Sequence, residues 1–325
     1  MTQRLLVTGS NGQDGVHLVD KLLRAGDDVH GMCHPAGGAR RLLEQFLSVT
    51  AHVADIEKTT GIRHQIDKIE PTRVFNLAGN TVVTRSWEKP AETADVLGVG
   101  PIRLLKSCWK LPLRLGRDVR MLQASSAEIF GDASEVPPTE QTPRRPVTPY
   151  GAAKGFVHEI AGVYRARGMH VCTAILSNNQ SPRRPENFVA RMITMAVAKI
   201  ATGRQKTVVL DNSDVKRDWG NAPDYVDAVI RIISQPASND YIVATGVSHT
   251  VRDFAAEAST VAGDSDWEHR VVIDPAFYWP ADPLRLVRNA SRLRAIGWKE
   301  SVTIPELVNI MMANELSKFQ LDGPE

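Results

Sequence analysis

Tyr150 and Lys154 stand four residues apart in PYGAAK, so on a helix opening near Pro149 they share one face. A free phenol loses its proton only near pH ~10, and a tyrosine acting as a base at neutral pH needs a neighbouring cation to hold its phenolate. Lys154 supplies that charge. Ser126 and Glu128 lie two residues apart in QASSAEIFG, where an extended strand end turns both side chains to the same side. Near the N-terminus, TGSNGQDG over residues 8–15 holds Gly9, Gly12 and Gly15. Glycines between a strand and a helix let a pyrophosphate approach backbone N–H groups at the favourable end of the helix dipole. A base for a hydroxyl proton beside a dinucleotide site equips a protein for hydride transfer. Glu128 is extra to that chemistry.

The elements that must position these groups are short apolar strands alternating with helices. Residues 4–8, 28–32, 51–55, 73–78, 119–125 and 170–176 read as buried strands rich in Val, Ile and Leu. Between them run helical stretches such as GVHLVDKLLRAG, which Gly26 stops. Repeated β-α-β units predict an α/β fold, a Rossmann-type doubly wound parallel sheet. Beyond residue 177 the alternation breaks into an arginine- and proline-rich loop, a helix at 187–202, isolated strands in TVVL and YIVAT, and helices near 250–262 and 303–317. The expected division is a dinucleotide-binding domain over 1–176 and a smaller substrate lobe over 177–325, with some elements returning to the main domain. At the end of the second strand no acid is present to hold a ribose 2′-hydroxyl, and Arg40 and Arg41 follow, which leans towards NADP over NAD.

Composition narrows the partners. The net charge of +2 comes from 39 basic and 37 acidic residues in mixture, without the basic run of a nucleic-acid binder, and no apolar segment is long enough for a membrane. Cys33, Cys108 and Cys172 are odd in number and widely spaced, which fits reduced thiols in a cytoplasm. His30 and His34 flank Cys33, but that segment reads as a strand end and turn, so no metal site is expected.

These motifs together resemble the extended short-chain dehydrogenase/reductases and, within them, the GDP-mannose 4,6-dehydratases. The resemblance runs from TGSNGQDG through NLAG, QASSAEIFG and PYGAAK to SPRRPENFVARMI, RDWG, ATGVSHTVRDF and IGWK. Gln13-Asp14, Ser181-Pro-Arg-Arg184 and Arg217-Asp-Trp-Gly220 look like the dehydratase branch. The resemblance implies that Gly9, Asn11, Gly12, Gln13 and Asp14 hold the cofactor pyrophosphate and that Asp55 and Ile56 border the adenine; Arg40, read from its place after the second strand, joins the cofactor-binding candidates. It places Leu77, Ala78, Gly79, Lys154, Asn179 and Arg184 around the nicotinamide half. Asn178, Asn187, Val189, Arg191, Arg217 and Asp282 become contacts to a nucleotide sugar, GDP-linked in the family. Ser126, Glu128, Tyr150 and Lys154 become the catalytic set: oxidation at C4, water elimination across C5 and C6 by the carboxylate, and hydride return to C6. A homodimer or homotetramer is implied, through helices near 90–109 and 149–168.

The sequence also departs from the family. Ser126 stands where threonine is usual, which keeps the hydroxyl, and His34-Pro35 replaces an arginine pair. Further changes fall at Asn80-Thr-Val-Val83, Glu92, Asn178-Asn-Gln-Ser181, Asp218-Trp-Gly-Asn221 and Trp279-Pro-Ala-Asp282, clustering around the expected pocket. Two other readings use the same residues: a nucleotide-sugar epimerase or 4-reductase, which needs no Glu128, and a dinucleotide sensor without turnover.

Overall fold

Alternating apolar residues on each early strand point to opposite faces and demand cover on both. In the computed structural model, which describes residues 3–132, 137–210, 212–274, 285–286 and 288–321, helices supply that cover. The strands β1 (Arg4–Thr8), β2 (Asp28–Cys33), β3 (Thr50–Val53), β4 (Arg73–Asn76), β5 (Arg120–Ser126) and β6 (His170–Leu176) coincide closely with the expected ones. Leu5 and Val7 of β1 face a core formed with Leu18 and Leu22 of α1 (Gln13–Arg24). Between Leu5 and Val7, Leu6 points the other way, into a second core. The helix α2 (Gly38–Gln45), which follows β2, sets Leu42 in the first core, and α3 (Thr59–Ile69) contributes Ile62 and Ile66 to the second. The short α4 (Arg85–Glu88) and α5 (Pro90–Ala94) run through a π-helical turn at Asp95–Val99 into α6 (Gly100–Leu115), and α7 (Pro149–Ala166) completes that face with Val157 and Ala161. Fully burying each such aliphatic side chain stabilises the fold by about 1.5–3 kcal/mol before entropy is counted.

The second half weaves in and out of the sheet. β7 (Asn178–Gln180), α8 (Val189–Ala201), β8 (Val208–Leu210), β9 (Lys216–Arg217) and β10 (Trp219–Asn221) lead to α9 (Ala222–Ile233) and β11 (Asp240–Val243). Residues 241–245, expected to form an isolated strand, instead supply most of β11, which pairs in parallel with β6. The main sheet therefore has seven strands in the order β11-β6-β5-β4-β1-β2-β3, every neighbouring pair parallel. Tyr225, Val229 and Ile232 of α9 pack into the same core as α1. After β11 come β12 (His249–Thr250), α10 (Val251–Val261), β13 (Val271–Ile273), β14 (Arg285–Leu286), α11 (Ser291–Ala295) and α12 (Ile304–Leu321). Helices α8, α10 and α12 gather around Trp219 and Phe254 as a separate core. Three small sheets accompany this lobe: β7 with β10, β9 between β12 and β14, and β8 with β13.

Candidate active site

The glycine loop leaves β1 with Gly9 at φ +67°, and a side chain there would bring its Cβ to 2.9 Å from the backbone of Leu77 and Ala78. A Cβ on Gly15 would lie 2.2 Å from the Gly9 carbonyl oxygen. Only glycine lets this loop close onto both α1 and the end of β4, leaving the helix N-terminus open to a ligand. Beneath it a buried polar chain crosses the sheet. The Thr8 hydroxyl donates to Asn76 Oδ1 at 2.6 Å, and Asn76 Nδ2 donates to Gln123 Oε1 at 2.7 Å. Gln123 Nε2 and Lys154 Nζ both donate to the carbonyl of Ala124, at 2.9 and 3.1 Å. The lysine is thus held by the same chain that stitches the sheet together.

Tyr150 and Lys154 sit in the first turns of α7, whose Thr148 cap accepts from Gly151 N at 2.9 Å. Lys154 Nζ lies 5.9 Å from the centre of the Tyr150 ring, and both side chains are buried. Burial pushes the Tyr150 phenol up to about 12; a hydrogen bond with Ser126 and the Arg184 charge oppose that rise, while the Glu128 carboxylate adds to it. Burial also pulls the Lys154 ammonium down to about 8. Ser126 ends β5 in extended conformation, but Ala127–Phe130 is a 3-10 turn, not more strand. Ser126 Oγ caps that turn by accepting from Glu128 N at 3.2 Å. Serine and glutamate therefore meet through a capped turn, not through strand alternation.

All four side chains line one cavity of about 620 Å³. Leu77 and Asp14 border it on the loop side, Asn178, Asn179, Arg184, Asn187, Val189 and Arg217 on the lobe side, and Thr81, Val82, Val83 and Trp87 on a third. Arg184 stacks on the Phe188 ring at 3.6 Å, and burial lowers its pKa from the usual arginine value despite the charges of Asp14 and Tyr150. Its Nε and Asn179 Nδ2 are buried donors with no hydrogen-bond partner among the described residues. Donors left open at the wall of a glycine-cradled cavity fit an anionic dinucleotide.

The family model for GDP-mannose 4,6 dehydratase matches residues 6–311. The chain belongs to that family. GDP-mannose 4,6 dehydratase 1 of Arabidopsis thaliana is 37% identical over 323 residues, covering 96% of this chain and 89% of its own. Among solved structures, the UDP-glucose 4-epimerase of Thermus thermophilus in complex with NAD superposes with a TM-score of 0.84 at 25% identity, covering 96% of this chain and 98% of that one. RMD from Pseudomonas aeruginosa, complexed with NADPH, gives 0.81 at 24% over 98% and 100% of the two chains, a likeness of fold.

For a member of the GDP-mannose 4,6-dehydratase family, the candidate residues fall into three groups. Ser126, Glu128, Tyr150, Lys154, Asp14, Leu77, Asn178, Asn179, Arg184, Asn187, Val189 and Arg217 meet at the cavity. Others shape it from behind. Gln13 bridges the glycine loop to the lobe: its Nε2 donates to Asn179 Oδ1 at 3.2 Å and its Oε1 accepts from Ser181 Oγ at 3.0 Å. Ala78 N donates to the Thr8 hydroxyl, and the side chain of Asn11 lies against Gly38 at the start of α2. Asp55 caps Glu57 N at 2.9 Å, while Ile56 packs against Gly100. The third group points elsewhere. Arg40 is exposed and pairs with Glu44 at 2.8 Å. Arg191 is buried away from the cavity, its Nε 2.8 Å from Glu315 and its Nη1 donating to the carbonyls of Pro182 and Arg184. Asp282 and the stretch from Trp279 lie outside the described residues. His30 hydrogen-bonds His52 at 2.8 Å across β2 and β3, and among the described residues no group of three metal-ligating side chains occurs. Glu92 pairs with Arg85 and Lys89. Sequence reasoning gave no role to the Asn76–Gln123 chain, to Trp87, or to the buried pair Asp218 and Arg288. Asn76 and Gln123 did stand inside the motifs NLAG and QASSAEIFG.

Proposed function

We propose that the protein converts a GDP-linked hexose, GDP-mannose or a close relative, to the 4-keto-6-deoxy sugar, with Glu128 as the acid–base residue of the elimination. One observation carries this reading: Glu128 lines the same cavity as Ser126, Tyr150 and Lys154. A bound nicotinamide dinucleotide supplies the hydride acceptor for C4 and the hydride donor for C6. Tyr150 takes the proton of the C4 hydroxyl; the Arg184 charge offsets part of the cost of a buried phenolate, and the Lys154 ammonium, 5.9 Å from the ring centre, adds to that offset. The Ser126 hydroxyl, bonded to Tyr150, orients the same sugar oxygen. The 4-ketone acidifies C5–H; Glu128 accepts that proton and passes it to the departing C6 hydroxyl, which leaves as water. The proton gained by Tyr150 at C4 balances the one returned to C5, and the hydride removed from C4 balances the one delivered to C6, so no net redox equivalent is consumed.

NADP is favoured over NAD because β2 ends at Cys33 and no acid follows it before Arg40 and Arg41. Exposed Val99, at the turn leading into α6, and Phe156 and Val163 on α7 support a homodimer or homotetramer. Unpaired buried thiols at all three cysteines support a cytoplasmic setting, and among the described residues no helix is long and apolar enough to cross a membrane.

Glu128→Gln tests the central role. With GDP-mannose and catalytic cofactor, product mass shows loss of one water from the wild type; the variant binds cofactor, forms the 4-ketone and loses elimination by about 10²–10⁴-fold. Wild-type elimination in Glu128→Gln refutes the role. Unchanged mass with the wild-type enzyme supports an epimerase instead.

A further inference from the structure

Arg288 is 1% exposed, one of the largest fully buried side chains, and it comes from just ahead of α11, 160 residues after Glu128 in the chain. Its Nη2 donates to the carbonyl of Ala127 at 3.3 Å, and its guanidinium stands over the Phe130 ring at 5.6 Å. Ala127 and Phe130 are the first and last residues of the 3-10 turn that carries Glu128. The guanidinium therefore grips both ends of that turn. Three charges face it: Glu128 and Asp218 attract it and Arg217 repels it, Glu128 being the largest of the three influences. Burial lowers its pKa to about 10, which still leaves it charged at neutral pH. Asp218 already has both oxygens engaged, Oδ1 by Thr245 N and Oγ1 and Oδ2 by Gly246 N, at 2.9, 2.7 and 2.8 Å.

We propose that Arg288 is a positioning residue that fixes the Ala127–Phe130 turn and holds Glu128 as a carboxylate, ready to take the C5 proton. The inference rests on the role given to Glu128 above. Attraction between two charges is reciprocal: what favours the guanidinium favours the ionised carboxylate equally. Once Glu128 has accepted the proton that attraction is lost, which drives the proton onward to the C6 hydroxyl as the C6–O bond breaks and the C5–C6 double bond forms. Among the described residues Tyr150 is a further titratable group that feels the Glu128 charge; it lines the same cavity and acts at C4 before this step, and Asp14 and Arg184 act on Tyr150 from the loop and lobe sides.

The test uses the full chain with GDP-mannose and cofactor in single turnovers across pH. It follows C4 oxidation by the near-ultraviolet absorbance of the reduced nicotinamide and elimination by quenched mass spectrometry. Arg288→Met removes the charge and the bond. Arg288→Gln keeps a donor for the Ala127 carbonyl and carries the comparison if the methionine variant does not fold. Both variants are expected to hold C4 oxidation within about twofold of wild type, to accumulate reduced nicotinamide, and to move the acid limb of elimination up by about one unit or more. Arg288→Lys, which keeps the charge, is expected to restore the limb. A folded variant whose acid limb does not move, whether or not both steps slow together, overturns the proposal. Glu128→Gln separates the two ideas: if it eliminates at the wild-type rate, the base assignment itself fails, whereas an inactive Glu128→Gln with an unmoved limb in the Arg288 variants removes Arg288 alone.

Discussion

Lys154 is held where a charged amine costs stability, and replacing it by methionine measures that cost. Burial takes its pKa from 10.5 in the unfolded chain to about 8. A shift of that size corresponds to about 3 kcal/mol against the ammonium form, an upper figure because the variant also loses the bond to the Ala124 carbonyl, about 1 kcal/mol. Lys154→Met is thus expected to be more stable than wild type at pH 7 by about 1–3 kcal/mol. Between pH 8 and 10.5 the unfolded chain holds a proton at this lysine that the folded chain has lost, so the contribution of Lys154 to stability rises with pH across that window. The advantage of the variant must shrink from pH 8 upwards and be nearly gone above 10.5. Urea unfolding of both proteins at pH 7 and at two alkaline values reads the difference, in which thiols and other phenols largely cancel. A methionine variant no more stable than wild type at pH 7, with a gap independent of pH, would refute the argument that burial, not pairing, sets the state of this lysine.

Two further outcomes follow from the same geometry. Tyr150→Phe keeps the apolar ring and removes the base; it should bind nucleotide sugar normally and lose C4 oxidation by about 10²–10⁴-fold, read as the absence of reduced nicotinamide in a single turnover. Asn76→Leu leaves the Thr8 hydroxyl and the Gln123 carbonyl oxygen without their buried partner, at about 1–3 kcal/mol for each. For a chain of this length that lowers Tm by several degrees, on the order of 0.7 kcal/mol per degree; a melting temperature within a degree of wild type would contradict the chain of bonds.

What the sequence makes legible is local. β1 to β6 follow from apolar runs, the glycine turn from its place between β1 and α1, and the Tyr150–Lys154 face from helical spacing. What it hides depends on partners distant along the chain. β7 and β10 are three-residue strands, NNQ and WGN, too short for any periodicity, and they form only because the lobe folds back on the sheet. Arg191 carries the charge expected of a phosphate contact, yet the buried Glu315 of α12 claims it. The Ser126–Glu128 geometry was expected from strand alternation, and the 3-10 turn replaces it because Ser126 caps the chain the moment the ladder to β6 ends.

The position of β11 has a consequence for biosynthesis. While a ribosome has delivered the chain only as far as the end of β6 at Leu176, that strand is an uncovered, apolar sheet edge, and the core beside α1 still waits for Tyr225, Ile232 and Trp298. An unpaired parallel edge of this kind invites association with other chains. The nascent protein therefore passes through an interval in which the glycine loop is synthesised while α1 still lacks the α9 side chains of its core, and a fragment ending at residue 176 is expected to aggregate, not to fold into a free-standing binding domain.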